Sequence, residues 1–133
     1  MNIGPTGIAG ENAALKMYLN NGFELVARNY QTQYGEIDLI VRNDRYVVFA
    51  EIKTRTKASR GSGYYAVNPS KKRKIIRTAL LYLRENGMSL QPRFDVVDVL
   101  GHWLIVDEKE QFAVDRIRWF KNAITAEDYG EYI

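Results

Sequence analysis

One stretch, residues 35–55, organises this chain, and its sequence is GEIDLIVRNDRYVVFAEIKTR. Two apolar segments flank a polar turn at residues 43–45, a pattern that predicts two antiparallel strands. Charged side chains interrupt both segments: Glu36 and Asp38 in the first, Glu51 and Lys53 in the second. A charge inside an apolar strand is unfavourable unless it is paired or binds a metal. The stretch therefore predicts a functional site carried by two neighbouring strands.

The expected register of this hairpin brings two carboxylates together. If Asn43 faces Tyr46 across the turn, Asp38 lies opposite Glu51, where paired Cβ atoms are about 4.5–5.5 Å apart. Two carboxylates this close repel each other unless a proton or a cation lies between them. With no Cys and no pair of His, oxygen ligands favour a hard divalent ion, Mg²⁺ or Mn²⁺. Lys53 shares a strand face with Glu51, where it could hold or deprotonate an attacking water and offset phosphorane-like charge.

Composition limits the class of protein. The 133 residues are 46% hydrophobic and 26% charged, which predicts one globular domain over residues 1–133, with flexible ends at 1–6 and 126–133. The absence of cysteine excludes disulfides, thiolate metal sites and cysteine nucleophiles, and it fits a cytoplasmic location. The N-terminus lacks the pattern of a signal peptide. No apolar run approaches the ~20 residues of a membrane span, so no membrane partner is expected.

The charges are distributed unevenly along the chain. Residues 53–77 contain nine Lys or Arg and no Asp or Glu, whereas the remainder holds ten basic and sixteen acidic residues. This asymmetry indicates a polyanionic partner, with a solvated basic loop as the alternative. Many of these cations crowd the start of a predicted helix, where the helix dipole disfavours them, so we expect them to have a function. The predicted phosphate contacts are Arg55, Lys57, Arg60, Lys71, Arg73, Lys74 and Arg77.

Hydrophobic periodicity predicts eight elements in the order α-β-β-β-α-β-β-α. Helices are predicted over residues 7–21 and 69–86 and from Asp115 onwards, with Ile117, Phe120 and Ile124 on one face. Strands are predicted over residues 23–31, 36–42, 46–54, 93–100 and 102–106. The Gly/Ser-rich, basic residues 55–68 are predicted to form a loop. This order predicts an α/β domain with a mixed five-stranded sheet flanked by helices.

The spacing of Asp38, Glu51 and Lys53, D-(x12)-E-x-K, resembles the PD-(D/E)xK motif of the restriction-endonuclease-like superfamily. The resemblance is closer still to the YraN family of predicted endonucleases, and it covers roughly residues 7–125. Its hallmarks are Gly10-Glu11 with Ala14 and Tyr18-Leu19, Arg28-Asn29-Tyr30, residues 35–40 (GEIDLI), residues 48–55 (VFAEIKTR), Ala66-Val67, Lys71 and residues 93–97 (RFDVV). The superfamily's motif proline is absent before Asp38, which is typical of this family.

The resemblance implies a restriction-endonuclease-like core and a Mg²⁺- or Mn²⁺-dependent endonuclease that acts on DNA, with branched or single-stranded DNA as candidate substrates. It implies that Asp38 and Glu51 are the metal carboxylates and that Lys53 is the catalytic lysine. It also implies that Glu11 is an additional catalytic and metal-binding acid. Without the resemblance, Glu11 is better explained as a first-turn glutamate favoured by the helix dipole. Glu36 is interpreted as a polar residue at a strand start.

Two other functions fit the same residues. One is a non-catalytic nucleic-acid-binding module on a nuclease fold that acts with a partner protein; the other is a structural adaptor whose acids form only salt bridges. A homodimer is a candidate assembly, because a branched-junction nuclease needs two active sites. No base-reading element is evident, so recognition of DNA backbone and shape is expected.

The remaining polar and aromatic side chains have structural explanations beside any functional one. Asp95 and Asp98 alternate with valines and are expected to pair with the basic helix rather than bind a metal. Trp103 and Trp119 are interpreted as core residues. Three tyrosines are candidates for stacking on unpaired bases, with packing as the alternative: Tyr34, Tyr64 and Tyr65.

Overall fold

The structure is a computed structural model that describes residues 4–57, 69–87 and 89–123. Within these residues, two helices and five strands follow one another in the order α-β-β-β-α-β-β. They are α1 Pro5–Asn20, β1 Glu24–Thr32, β2 Gly35–Arg42, β3 Tyr46–Arg55, α2 Pro69–Asn86, β4 Gln91–Val106 and β5 Lys109–Phe120. Neither helix of the described part is long and apolar enough to cross a membrane. The predictions for Arg60, Tyr64, Tyr65 and residues 126–133 concern positions outside the described residues.

The five strands form one mixed sheet whose spatial order is the sequence order, β1-β2-β3-β4-β5. β3 and β4 are parallel, and every other pair of neighbours is antiparallel. Parallel neighbours need a crossover connection, and the 18-residue helix α2 lies in the one between β3 and β4. The mixed α/β sheet flanked by helices confirms the predicted fold class and is consistent with a restriction-endonuclease-like core.

The C-terminal part of the chain differs from the prediction. The two short strands predicted over residues 93–106 are one continuous strand, β4, and the predicted last helix is wrong over residues 115–120, which belong to β5. Asp107 and Glu108 join β4 to β5 with φ values of 52° and 65°. Two successive residues with positive φ form the tight turn that matches the twist of a hairpin. Long-range pairing with β4 therefore overrides the helical spacing of the apolar residues.

The two helices cover opposite faces of the sheet, and β3 contributes to both sides. Val47 and Phe49 pack in the cluster that contains the buried face of α2, whereas Val48 and Ala50 pack in the cluster that contains α1. Side chains alternate along a strand, so Glu51 continues the series that faces α2. The central strand thus has apolar packing on both sides until it reaches the first acid.

α1 approaches β3 so closely at Gly10 that no side chain fits between them. A Cβ atom at Gly10 would lie 1.8 Å from the side-chain oxygen of Thr54. We predict that Gly10→Ala lowers the free energy of unfolding by about 1–3 kcal/mol, because overpacking outweighs the higher helix propensity of alanine. Urea denaturation measures this change. The matched control is Asn12→Ala on the exposed side of α1, and equal stability of the two variants would contradict the prediction.

Candidate active site

The predicted register of β2 and β3 is confirmed. Backbone partners run from Arg42↔Val47 to Leu39↔Ala50, and the Asn43 N–H donates to the Tyr46 carbonyl at 3.0 Å. The same register leads to Asp38 opposite Glu51, but the ladder ends one step before this pair. Instead, Oδ2 of Asp38 accepts a hydrogen bond from the Ile52 N–H at 2.7 Å. Asp38 is therefore anchored where the two strands separate.

An irregularity of the sheet accompanies this separation. Leu39 packs on the α1 side and Ile40 on the α2 side, as alternation requires, but Ile37 also packs on the α2 side. On the neighbouring strand, Asn29 drops out of the ladder and has a φ of 51°. Asparagine adopts this left-handed conformation more readily than most residues. The start of β2 therefore lies against α2, where Ile37 packs in the helix cluster and Asp38 shares a cleft with α2 residues.

Asp38 and Glu51 border one cleft of about 210 Å³ between the sheet and the start of α2. The Lys71 ammonium group on α2 forms an ion pair with the Glu51 carboxylate. Glu36, interpreted above as a polar residue at a strand start, lines the same cleft. The remaining lining residues are Gly35, Lys74 and Ile75. The fold thus brings Asp38, Glu51 and two of the predicted phosphate contacts to one place.

The protonation of Asp38 reflects this crowding of acids. Burial raises the pKa of Asp38 to about 7, and the negative charges of Glu51, Glu11 and Glu36 act in the same direction. The hydrogen bond from the Ile52 N–H opposes them by stabilising the ionised form. At neutral pH the Asp38 carboxyl is therefore divided between its protonated and ionised forms. A cation between the carboxylates would favour ionisation.

The donor set fits a magnesium-type ion held by few protein ligands. Among the described residues, no group of three Asp, Glu or His side chains converges as a metal site. Mg²⁺ is commonly held by one or two carboxylates, with water and phosphate oxygens at its other positions. Asp38 and Glu51, which line one cleft, are two such carboxylates. Their negative charges repel each other, and a divalent cation bound between them would remove this repulsion.

Glu11 lies close enough to influence Asp38, but its own contacts are to β1. It is buried, with an exposed fraction of 4%. Its Oε1 accepts hydrogen bonds from Nη2 of Arg28 at 3.3 Å and from Nδ2 of Asn29 at 3.4 Å. These bonds join α1 to the irregular part of β1. The metal-binding role of Glu11 stays a prediction.

The basic residues after Glu51 have different surroundings. Lys53 is exposed and lies in register with Asp98 of β4. The guanidinium group of Arg55 donates two hydrogen bonds to Asp98, at 3.2 and 2.6 Å, so its charge is largely neutralised. Lys57 is exposed beyond the end of β3. On α2, Arg73 and Arg77 are exposed.

The predicted pairing of Asp95 and Asp98 with the basic helix is wrong. Asp98 pairs with Arg55 of the adjacent strand, and Asp95 pairs with Arg93 on its own strand. Both acids are buried within the sheet layer, and each pairs with an arginine of a strand rather than of the helix. The partner of Asp98 could not be predicted from the sequence, because that requires knowing that β3 and β4 are neighbours. The partner of Asp95 lies two residues away on the same strand, a spacing that the sequence does show.

Two arginines near the site, Arg116 and Arg118, were not among the predicted phosphate contacts. The β4–β5 register sets Arg118 beside Asp98 and Arg116 beside Leu100, in the rows that contain Lys53 and Arg55 on β3. Residues two apart on a strand share a face, so Arg116 and Arg118 extend the basic character of this side of the sheet. The alternating pattern Arg116-Ile117-Arg118 is the signal that could have found them.

Comparisons with known proteins identify the relatives of this chain. The sequence model of a family described as "Uncharacterised protein family UPF0102" matches residues 10–99. A UPF0102 protein of Neisseria gonorrhoeae is 41% identical over 97 residues, covering 72% of this chain and 84% of the relative. A UPF0102 protein of Nocardia farcinica is 43% identical over 105 residues, covering 76% and 83%. One of Prosthecochloris aestuarii is 37% identical over 112 residues, covering 84% and 88%. The chain therefore belongs to the UPF0102 family, which is the YraN endonuclease-like group that its motifs resemble.

Proposed function

We propose that this protein is a Mg²⁺- or Mn²⁺-dependent endonuclease that hydrolyses phosphodiester bonds of DNA. One observation carries the proposal: Asp38 and Glu51 converge on a cleft that is walled on its other side by the lysines of α2. Paired carboxylates beside cations suit a substrate whose phosphates need both metal coordination and charge neutralisation. Related folds support many unrelated activities, whereas paired carboxylates beside cations are specific to this site.

The chemistry is divided between residues that line the cleft and Lys53, which lies two residues beyond Glu51 on β3. A bound divalent ion would polarise a phosphoryl oxygen and lower the pKa of water, and Asp38 and Glu51 would hold it. Lys53 would hold or deprotonate the attacking water and offset the negative charge of the transition state. Lys71 and Lys74 would contact the phosphates that enter the cleft. Branched or single-stranded DNA, a homodimer and a partner protein in DNA processing remain part of the proposal.

Removal of the Lys53 ammonium group is the sharpest test of catalysis. We predict that Lys53→Ala lowers the cleavage rate about 10²-fold or more while binding of Mn²⁺ persists, because the metal carboxylates stay in place. Single-turnover cleavage of branched, flapped and single-stranded DNA in Mn²⁺ measures the rate. The matched control is Lys16→Ala, an exposed lysine on α1. Equal cleavage by Lys53→Ala and wild type would contradict the assigned role.

A non-catalytic nucleic-acid-binding module is the second candidate, and the Lys71–Glu51 ion pair favours it. An ammonium group that neutralises Glu51 offers a structural reason for the acid without a metal. Calorimetric titration with Mg²⁺ or Mn²⁺ separates the candidates when wild type is compared with Asp38→Ala/Glu51→Ala. Equal ion binding by the two proteins, together with salt-dependent DNA binding and no cleavage, would favour the binding module. A structural adaptor would show no salt-dependent DNA binding.

A further inference from the structure

A second groove runs along the outer side of α2. It has a volume of about 570 Å³ and is lined by Tyr34, Arg77, Leu80, Leu81 and Arg84. Tyr34 belongs to the turn between β1 and β2, and the guanidinium carbon of Arg77 lies 5.9 Å from the centre of its ring. The groove therefore combines an exposed aromatic ring, a partly apolar floor and two guanidinium groups.

The groove lies beside the cleft that contains Asp38 and Glu51. Gly35 and Lys74 line the cleft, while their neighbours Tyr34 and Arg77 line the groove. A Cβ atom at Gly35 would lie 3.4 Å from Cβ of Lys74, so the turn and the helix are in contact at this junction. The cleft and the groove therefore lie next to each other, one after the other along α2.

The basic side chains of α2 form a stripe along the cleft and the groove. Lys71, Lys74 and Arg77 are three residues apart, and Arg84 lies two turns further on. At 1.5 Å per residue, the stripe is about 20 Å long. One strand of stacked nucleotides advances 3.4 Å per phosphate, so this length matches about six nucleotides.

The positive charge of this stripe is greatest at the groove, where the lining residues include Arg77 and Arg84 but no acid. At the other end of the stripe, Lys71 pairs with Glu51. Glu85 follows Arg84 in sequence, but its Oε1 accepts a hydrogen bond from the Tyr30 hydroxyl at 3.3 Å. Glu36 lies at the junction, and its Oε2 accepts a hydrogen bond from Nε2 of Gln31 at 2.8 Å. The groove thus combines two arginines with Tyr34, a residue that is 38% exposed.

We propose that this groove binds unpaired nucleobases of the DNA substrate, an inference that rests on the proposed function. Proteins that bind single strands combine a basic groove, which follows the phosphates, with aromatic rings on which bases stack. Tyr34 is the stacking platform, Leu80 and Leu81 contact the base, and Arg77 and Arg84 contact phosphates. Bases inside a duplex are already stacked on each other and cannot use the ring. The favoured substrate therefore has a single-stranded segment of about six nucleotides next to the bond that is cut.

Binding measurements without cleavage test the groove. We expect Tyr34→Ala to weaken binding of a fluorescent ten-nucleotide oligothymidylate about tenfold, by anisotropy in EDTA, and to change binding of a duplex less than twofold. Tyr34→Phe keeps the ring and is expected to bind within about twofold of wild type. Arg77→Gln/Arg84→Gln is expected to reduce the slope of log affinity against log salt by about 1.4, since each phosphate contact on a single strand contributes about 0.7.

The matched control for this test is Arg45→Gln. Arg45 is an exposed arginine whose guanidinium carbon lies 5.4 Å from the Tyr46 ring, in the turn between β2 and β3, outside the groove. It is expected to leave binding unchanged. An effect of Tyr34→Ala below twofold, an equal loss on duplex, or a Tyr34→Phe variant as weak as Tyr34→Ala would overturn the assignment.

Failure of the groove and failure of the proposed function give different results. If wild type cleaves the substrate panel but Tyr34→Ala binds single strands normally, only the groove assignment is wrong. If wild type cleaves nothing while single-strand binding still depends on Tyr34, the nuclease proposal is wrong and the groove stands as a binding site. The Arg77→Gln/Arg84→Gln variant tests the groove independently of Tyr34.

Discussion

Asp38→Asn is expected to make the protein more stable at pH 8 and to abolish its binding of Mg²⁺ or Mn²⁺. The pKa of Asp38 is raised from 3.8 to about 7, first by burial and then by neighbouring acids. One pKa unit corresponds to about 1.4 kcal/mol, so ionised Asp38 destabilises the folded state by up to about 4 kcal/mol. Asparagine removes this charge and can still accept the Ile52 N–H, so we expect a gain of about 2–4 kcal/mol in the free energy of unfolding.

The pH dependence of this effect has a definite sign. Below pH 3.8 the carboxyl is protonated in both the folded and the unfolded protein, so it contributes no difference. Between pH 3.8 and about 7 the unfolded chain loses the proton while the folded protein keeps it, so wild-type stability falls as pH rises. Above pH 7 the penalty is complete. The advantage of Asp38→Asn is therefore expected to grow from pH 4 to pH 7 and then stay constant.

Urea denaturation across pH 4–8 measures the stability of Asp38→Asn, and calorimetric titration measures its metal binding. The matched control is Asp44→Asn, an exposed acid in the turn of the same hairpin, which is expected to change neither quantity. If the variant is no more stable than wild type at pH 8, the ionised Asp38 carboxylate does not destabilise the folded protein. Unchanged metal affinity would remove Asp38 from the proposed ligand set.

Asp95→Ala is expected to lower the free energy of unfolding by about 3–5 kcal/mol. The Asp95 side chain is fully buried and accepts five hydrogen bonds. Two come from Arg93, at 3.0 and 2.9 Å, and the others come from the Tyr18 hydroxyl and Trp119 Nε1, both at 2.8 Å, and the Asn122 N–H at 3.0 Å. Alanine would leave a largely buried guanidinium and several donors without this acceptor.

These contacts make Asp95 a junction between α1, β4 and β5. Burial and then the neighbouring Asp95 charge raise the pKa of Tyr18, so its hydroxyl stays protonated and donates. The Tyr18 and Trp119 rings meet edge to face at 5.1 Å. Asp95 is also in register with Ala50, the residue before Glu51, so this junction supports the strand that carries the cleft.

Equilibrium urea denaturation tests the Asp95→Ala prediction. Asp115→Ala is the matched control, because Asp115 contacts Nδ1 of His102 at 3.0 Å in a pair in which both side chains are about half exposed. An exposed pair of this kind contributes between 0 and about 1 kcal/mol. Similar losses in the two variants would mean that the Asp95 network contributes no more than an exposed pair.

The sequence predicted the hairpin and its register because both depend on residues that are close in the chain. The turn at residues 43–45 sets the pairing of β2 with β3, and alternation along each strand then follows. The 18-residue helix α2 was found from its period and its proline at the first position. The interpretation of Trp119 as a core residue is supported by its packing against the α1 cluster, whereas Trp103 is 38% exposed.

Predictions failed where the outcome depended on which distant segments become neighbours. The spacing of Ile117, Phe120 and Ile124 fits a helix locally, but pairing with β4 makes residues 115–120 a strand. The pairing of Asp98 with Arg55 likewise required knowledge of the sheet order, because the two residues lie on neighbouring strands. Each of these choices is made by contacts between residues far apart in sequence, which local propensity does not encode.

In the candidate site too, local spacing predicted some features and tertiary packing determined the others. Spacing in the chain was sufficient to select Asp38, Glu51 and Lys53, because a strand alternates every two residues and a short turn brings its two strands together. Packing was needed to end the ladder before Asp38 and to bring the Lys71 ammonium group to Glu51. It also joined Tyr34 to α2 in a groove. These features arise when α2 and the start of β2 meet, and no local sequence pattern encodes that meeting.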